Sequence, residues 1–295
     1  MSTVATIINK TQRQLLSGLV EERNKLATNA TSTATSITLS YDLEGIRKGT
    51  IIEIDSELMY VWEVTTASKT VTVERAFNGS TAAAHTAGDI VTISPRFPRA
   101  QILEAVNDEL SDLSSPAHGL FAIRNVDVSY NGNDSIINLP VSKQIIDILD
   151  VRLRYTGDDY PSIRKTQLIR NLPTQDFPST YGLKFNQGTR AGDLRITYKA
   201  PFYSVTTEAD NIQTVAGLPV SAEDILVIGA QIRLIAPREI RRNFTESQGD
   251  TRRPEEVPTG AINQSIANLL RLRRDRIMAE AAKLARQYPI LLSKD

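Results

Sequence analysis

The chain has 295 residues, 34 of them basic and 34 acidic, so its formal net charge is zero at pH 7. A protein that works mainly by binding nucleic-acid phosphates is expected to be basic. The absence of cysteine excludes disulfides, thiol nucleophiles and Cys-ligated zinc. No apolar run approaches the roughly 20 residues of a membrane helix, and residues 1–10 lack a signal-peptide pattern. We therefore expect synthesis in the cytoplasm and no membrane contact.

The N-terminal segment is predicted to form a helix from Val4 to Leu26, because its apolar residues recur at helical spacing. The residues on this face are Ile8, Leu15, Leu19 and Leu26. A link rich in Thr, Ser and Ala, Asn29–Ser36, follows this helix.

Alternating apolar and polar residues between Ile37 and Ile93 predict about five strands with one buried face. Short polar breaks and the pair Asn78-Gly79, which tolerates positive φ, are typical of hairpin turns. The expected runs are Ile37–Leu39, Gly49–Ile54, Leu58–Val64, Thr70–Glu74 and Asp89–Ile93. Five strands in fewer than sixty residues suffice for a small barrel or two packed sheets.

The central part of the chain begins with a second predicted helix, Arg99–Leu113, which ends before Pro116. From Phe121 to about Tyr203 the apolar period returns to two, and turn-forming loops separate the runs. Several short strands of this kind predict a β-sandwich. Around Ile145 a helix stays open as an alternative to a strand.

The C-terminal part is predicted to hold two helices. Ala222–Ile240 is the third helix of the chain, with Ser221 as its expected N-cap. The segment 245–259 has almost no apolar residue and is expected to be a mobile arm. Ala261–Tyr288 is the last and longest helix, and an apolar end, Ile290-Leu291-Leu292, follows it.

These elements predict an α+β protein: a helical bundle core with an inserted small β-barrel-like module and a larger β-sandwich domain. The helices are expected to meet in one bundle although they are far apart in sequence. The expected segments are 1–28, 95–115 and 221–243 for the helical core, 30–94 for the small β module, 120–205 for the sandwich, 244–260 for the arm, and 261–295 for the C-terminal helix and tail.

Residue patterns of known catalytic or metal sites are absent from the sequence. The two histidines, His85 and His118, lack metal-ligand spacing, and His85 is expected to cap a turn before Gly88. No phosphate-binding glycine motif or G-x-S-x-G elbow is present. The acidic pairs Asp158-Asp159 and Asp55/Glu57 are expected to lie in turns. We therefore predict a protein that is not an enzyme and has no catalytic residues, metal site or cofactor.

Two C-terminal features are candidate contact sites. An arginine cluster lies halfway along the last helix: Arg271, Arg273, Arg274 and Arg276. It can be a solvated helix face, a patch that pairs with carboxylates of a neighbouring subunit, or a DNA phosphate contact. The end of the chain can complete the intramolecular core or insert into a partner's groove. Its residues are Tyr288, Pro289, Ile290 and Leu291.

The β module contains a motif that resembles a small module of tailed-bacteriophage virion proteins. The matching residues are Gly49-x-Ile-Ile-x-Ile-Asp55-x-Glu57-x-Met-Tyr-Val and Val71-x-Val-x-Arg75-Ala-x-Asn78-Gly79-Ser-x-Ala-Ala-Ala-His85-x-x-Gly88-Asp89-x-Val. The helices resemble those of tailed-phage head–tail connector (portal adaptor) proteins. The matching stretches are Ile-Gly-Ala-x-Ile-Arg233-Leu and Arg274-x-Arg276-Ile-Met-x-Glu280-Ala-x-x-Leu284 with Tyr288-Pro289.

This resemblance implies a structural protein of the virion neck, between head and tail. It implies a ring of identical subunits, twelve in number, beneath the portal protein. The C-terminal segment, with the arginine cluster, would bind the portal and neighbouring subunits, and the other face would receive the next neck or tail protein, or tail fibres. DNA would pass the lumen without sequence-specific binding.

Three other functions stay open. A tail or fibre-attachment protein would use the same β module without binding a portal. A glycan-binding or glycan-cleaving virion protein would need a cleft of carboxylates and aromatics, whereas the one tryptophan, Trp62, lies in the small module. A DNA-binding protein would act through the arginine helix.

Overall fold

The computed structural model describes residues 2–17, 19–141, 144–154, 161–163, 166–185, 190–246 and 261–288, with the backbone alone for 237–246 and 261–263. The chain forms two compact units, and each is described separately. The module unit comprises Thr3–Asp108 and Asp224–Arg273. The two-sheet unit comprises Met1–Ser2, Glu109–Glu223 and Arg274–Asp295. Helices and strands both occur, as the predicted α+β class requires.

The four helices are α1 (Val4–Leu16), α2 (Arg99–Leu113), α3 (Glu223–Glu246) and α4 (Ala261–Gln287). The predicted bounds of α2 are confirmed, and those of α4 differ by one residue. Ser221 is not the N-cap of α3, because a short 3-10 turn, Val220–Ala222, precedes the helix and the Ser221 hydroxyl donates to Glu280 instead. Within the described residues, no helix is long and apolar enough to cross a membrane.

Helix α1 is ten residues shorter than the sequence predicts. It ends at Leu16, where Ser17 adopts φ 43° and its N–H donates to Arg13. The expected apolar face then divides: Leu19 is half-exposed, while Leu26 is buried in the module's core. The prediction of a helix through Leu26 was wrong because strand pairing with a distant segment, invisible to local periodicity, outweighs helix propensity there.

The module unit contains a six-stranded antiparallel sheet in the order β1-β6-β3-β4-β5-β2. Its strands are β1 (Arg23–Lys25), β2 (Ser36–Thr38), β3 (Ile51–Ile54), β4 (Glu57–Thr65), β5 (Thr70–Glu74) and β6 (Ile90–Ile93). The five expected runs are all strands, and β1 is an additional one. The alternate residues of these strands form one apolar core, including Ile37, Ile52, Met59, Val71 and Val91. A register shift between Val61 and Glu63 leaves Trp62 half-exposed.

The two-sheet unit has two three-stranded antiparallel sheets, ordered β7-β12-β9 and β10-β11-β8. The strands are β7 (Ala122–Tyr130), β8 (Ile136–Asn138), β9 (Asp147–Leu153), β10 (Thr166–Ile169), β11 (Gly182–Phe185) and β12 (Gly192–Ala200). Alternation is clearest in β12, where Leu194, Ile196 and Tyr198 are buried. The segment after Ile145 is a strand, which resolves the alternative left open by the sequence.

Candidate functional site: a buried ion network and an exposed helix

Glu57 and Arg75 of the β module form a buried ion pair. Arg75 Nε and Nη2 donate to the two Glu57 oxygens at 2.7 Å each. The side chains are 1% exposed for Glu57 and 7% for Arg75. Arg75 also donates to the carbonyl oxygens of Thr31, Ala34 and Ala83. The guanidinium therefore connects two separate loops, one with Thr31 and Ala34 and one with Ala83, to the start of β4.

His85 extends this network to the turn between β3 and β4. Its Nε2 lies 2.8 Å from Glu57 Oε2, and its Nδ1 lies 3.3 Å from Asp55 Oδ2. The backbone of His85 pairs with Ala30 in an isolated antiparallel bridge. Asp55 lies in the tight turn with φ 53°, whereas Glu57 is the first residue of β4 and is buried. The turn placement predicted for Asp55 is confirmed, and the turn placement of Glu57 was wrong because its carboxylate has internal partners.

The network shifts the pKa of each of these acidic and imidazole groups. Burial raises the pKa of Glu57, but hydrogen bonds from Arg75, the Ala83 and Ala76 amides and His85 outweigh it, and the pKa falls to about 2. The hydrogen bond with Asp55 raises the pKa of His85 against the opposing effect of burial, with a further contribution from Glu57. The same bond lowers the pKa of Asp55. The network is therefore ionic near neutral pH.

This arrangement explains why the quoted motif has charged residues within a β module. Glu57 contacts Arg75 and His85, which lie 18 and 28 positions away in sequence, and His85 also contacts Asp55, 30 positions away. The sequence predicts a turn role for His85 but does not reveal these partners. The alternation of β4 places Glu57 on the buried side with Met59 and Val61, and this was the available signal.

The predicted arginine cluster on α4 divides into two pairs. Arg271 and Arg274 are exposed, whereas Arg273 and Arg276 are half-buried. Arg276 Nη2 donates to the Ser221 carbonyl oxygen at 2.7 Å and lies 3.4 Å from Glu280. Glu280 is buried and accepts from the Ser221 hydroxyl at 2.9 Å. Arg276 therefore has a structural contact within its own chain, while Arg271 and Arg274 are accessible to a partner.

The exposed side of α4 also bears apolar side chains. Of the side chains described between 264 and 288, three are buried: Ile277, Glu280 and Leu284. Leu270, Leu272 and Met278 are each about half exposed, at 48%, 49% and 50%. Arg271, Arg274 and Met278 have the i, i+3, i+7 spacing of one helix face. This 27-residue helix thus presents a mixed apolar and cationic face to solvent.

Tyr288, at the end of α4, lies beside a cavity of about 1000 Å³ in the two-sheet unit. The lining includes the apolar residues Leu120, Phe121, Ile145 and Pro201, and the cations Arg170 and Lys199. Pro289, Ile290 and Leu291, the other predicted contact residues, lie outside the described residues, as does Asp158-Asp159.

Comparison with known proteins yields little similarity. No family model matches the chain, and no curated protein matches it. A solved structure described as the "Neck of empty GTA particle computed with C6 symmetry" matches 58% of this chain and 78% of its own chain. The sequence identity is 12% and the TM-score is 0.21. A TM-score this low does not establish a shared fold.

Proposed function

We propose that this chain is a structural protein of a phage-like virion, a connector adaptor that forms a ring under the portal and lets DNA pass. In this proposal it performs no catalytic step. The observation that carries it is the exposed face of α4, which has the composition of an interface between subunits. The resemblance of the β module to virion proteins, and of the helices to connector proteins, selects the kind of assembly.

Two half-exposed, long apolar side chains on one side of a helix, Leu270 and Met278, favour contact with another protein surface. Single exposed apolar residues such as Leu272, on another side of the helix, are common on monomers, but Leu270 and Met278 are at i and i+8 and share a side. A second copy of the chain would remove them from water. In a ring, each subunit offers this face to a different surface of its neighbour, because ring contacts are heterologous.

Arg271 and Arg274 would provide specificity in the same contact. Guanidinium groups form bidentate bonds with carboxylates, and such pairs tolerate partial burial better than lysine pairs do. Both arginines lie on the side of Met278, so an acidic neighbour surface would contact apolar and charged groups together. Twelve copies, the portal as one neighbour and a neck or tail protein as the other are the specific form of this proposal.

The test is the mass of the purified chain, alone and mixed with the portal of the same virus, by analytical ultracentrifugation. We expect a ring-sized particle, formed alone or on the portal. Met278→Asp with Arg271→Glu should shift that particle toward monomer. Val220→Asp with Lys184→Glu is the matched control, since Val220 is 55% exposed and Lys184 is exposed.

One result would contradict the connector proposal, and another would contradict the α4 contact. A stable monomer or trimer that ignores the portal would favour a tail or fibre-attachment role. A ring that is unaffected by the α4 substitutions, but lost in the control variant, would place the subunit contact elsewhere on the chain.

A further inference from the structure

A set of potential metal ligands converges at the edge of the buried ion network. One carboxylate oxygen of Asp55, one imidazole nitrogen of His85 and one carboxylate oxygen of Asp89 all lie within 4.8 Å of one another. Asp55 comes from the turn between β3 and β4, and Asp89 immediately precedes β6. All three residues belong to the module unit. The set thus joins two loops that the sheet brings together.

The orientation of His85 suits a metal ligand. Its side chain is 1% exposed, and Nε2 lies 2.8 Å from Glu57 Oε2. Nε2–H donates to Glu57, and Nδ1 faces the Asp55 carboxylate, to which it donates when the ring is charged. A bound metal ion would displace the Nδ1 proton and take the lone pair that it leaves. A histidine that binds a metal commonly donates its other N–H to a carboxylate in this way.

The distances also match a coordination polyhedron. Metal–ligand bonds of about 2.0–2.2 Å in a tetrahedral site place neighbouring ligand atoms about 3.3–3.6 Å apart. His85 Nδ1 and Asp55 Oδ2 are 3.3 Å apart, which is long for an N–H···O bond but matches such an edge. Small side-chain rotations would bring the oxygen of Asp89 to the same separation, since it is already within 4.8 Å.

Asp89 is held in place without losing its capacity to coordinate. Its Oδ2 accepts from the Thr86 amide at 2.7 Å and its Oδ1 accepts from the Thr86 hydroxyl at 3.0 Å. Each carboxylate oxygen has a second lone pair that can contact a cation. The net charge of the site also favours a divalent cation. Once the ion has displaced the His85 Nδ1 proton, three carboxylates, Asp55, Glu57 and Asp89, and one guanidinium, Arg75, sum to −2, which one divalent ion neutralises.

We propose that Asp55, His85 and Asp89 bind one divalent transition-metal ion, with Zn²⁺ as the best fit. An imidazole with two carboxylates suits Zn²⁺ better than Mg²⁺ or Ca²⁺, which take oxygen ligands in larger sets. Water would occupy the fourth position, because the Asp55 side chain is 72% exposed. Glu57 orients His85 and does not touch the ion. The ion would link the β3–β4 turn to the loop that precedes β6.

The proposal is tested by isothermal titration of Zn²⁺ into the full chain after EDTA treatment and dialysis. We expect one equivalent to bind, and Asp55→Asn and Asp89→Asn each to weaken binding at least tenfold. Asparagine keeps the shape at both positions and tolerates the positive φ of Asp55. Asp210→Asn is the matched control, because Asp210 caps Thr206 and Thr207 in a comparable exposed loop. It should bind Zn²⁺ like the unsubstituted chain.

A second measurement examines the coordination itself. Co²⁺ should replace Zn²⁺ and give the strong visible absorption of a tetrahedral site, and Asp55→Asn should abolish that band. Circular dichroism in EDTA checks that each variant is folded. The proposal is overturned if the unsubstituted chain binds no stoichiometric Zn²⁺, or if Asp55→Asn and Asp89→Asn bind it as tightly as Asp210→Asn does.

Discussion

Arg75 and Arg271 show how differently two regions of this chain use the same side chain. Arg75 is 7% exposed and binds both oxygens of Glu57 and three carbonyl oxygens in the β module. Arg271 is exposed on α4. The module directs its charged motif residues inward, where they determine loop geometry. Helix α4 directs charged and apolar residues outward, where a second protein surface can contact them.

The contrast between buried and exposed charged residues affects how the sequence resemblance of the β module is interpreted. The motif from Gly49 to Asp89 is the most specific pattern in the chain, yet its charged residues are internal partners of one another. The motif therefore describes how this module is built. The exposed side of α4 has a weaker pattern, because many residues satisfy the requirement to be exposed and partly apolar.

The largest expected effect is the loss of the buried ion pair. Arg75→Met should lower the free energy of unfolding by about 3 to 5 kcal/mol, because Glu57 would be left buried and charged. Arg271→Met should change it by no more than about 0.5 kcal/mol. Urea unfolding followed by circular dichroism measures both. Equal effects of the two substitutions would contradict the contrast between these regions.

Met59 and Met278 allow the same comparison for apolar packing. Met59→Ala should cost about 2 to 5 kcal/mol, because Met59 is fully buried in the module core and truncation leaves a cavity. Met278→Ala, at a half-exposed position, should cost less than about 1 kcal/mol in the monomer. A larger cost for Met278→Ala at low protein concentration would show that α4 is already covered within one chain.

The ionic network predicts that the module loses stability at both low and high pH. The pKa of Glu57 is lowered to about 2 from 4.5, so its stabilisation is present above pH 4.5 and is lost as pH falls toward 2. The pKa of His85 is raised above 6.5, so its stabilisation is present below pH 6.5 and is lost as pH rises through the raised value. Urea unfolding in EDTA across pH 2.5–9 should therefore show a maximum between these limits.

Substitution of His85 separates the loss of stability at high pH from the loss at low pH. His85→Gln should remove the decline above pH 6.5 and keep the decline below pH 4.5, because Glu57 retains Arg75. If the free energy of unfolding of His85→Gln still declined above pH 6.5, that decline would belong to other groups.

Only a small effect on stability is expected for the exposed ion pair of the two-sheet unit. Arg195 lies 3.3 Å from Asp127, and both side chains are more than half exposed, so the pair contributes little. Arg195→Met should change the free energy of unfolding by at most about 1 kcal/mol. A loss comparable to that of Arg75→Met would show that exposure does not determine how much an ion pair of this chain contributes to the free energy of unfolding.

Local sequence patterns were sufficient to predict most of the helices and strands. Period-two alternation located β2 to β6, and helical spacing with a proline stop located α2. Asn78 and Gly79 both adopt the positive φ that their residue types favour. Each of these features depends on residues within one turn or one strand, so a sequence window contains the relevant information.

Features that depend on distant partners could not be predicted in this way. Residues 23–25 form a strand because β6, more than sixty residues later, offers a free edge. Arg276 pairs with Ser221, and the burial of Glu57 depends on Arg75. The metal-ligand set is of the same kind, since Asp55 and Asp89 are 34 positions apart and only the sheet brings them together.

The sequence by itself determined the α+β class, the positions of most strands and helices and a motif that is typical of virion modules. Tertiary structure alone decided which charged residues face inward and which face solvent. The physical reason is that burial and ion pairing depend on which strands and loops meet, and neither alternation nor charge spacing specifies that meeting. Arg75 and Arg271 have the same side chain, and only the fold gives one of them a buried carboxylate.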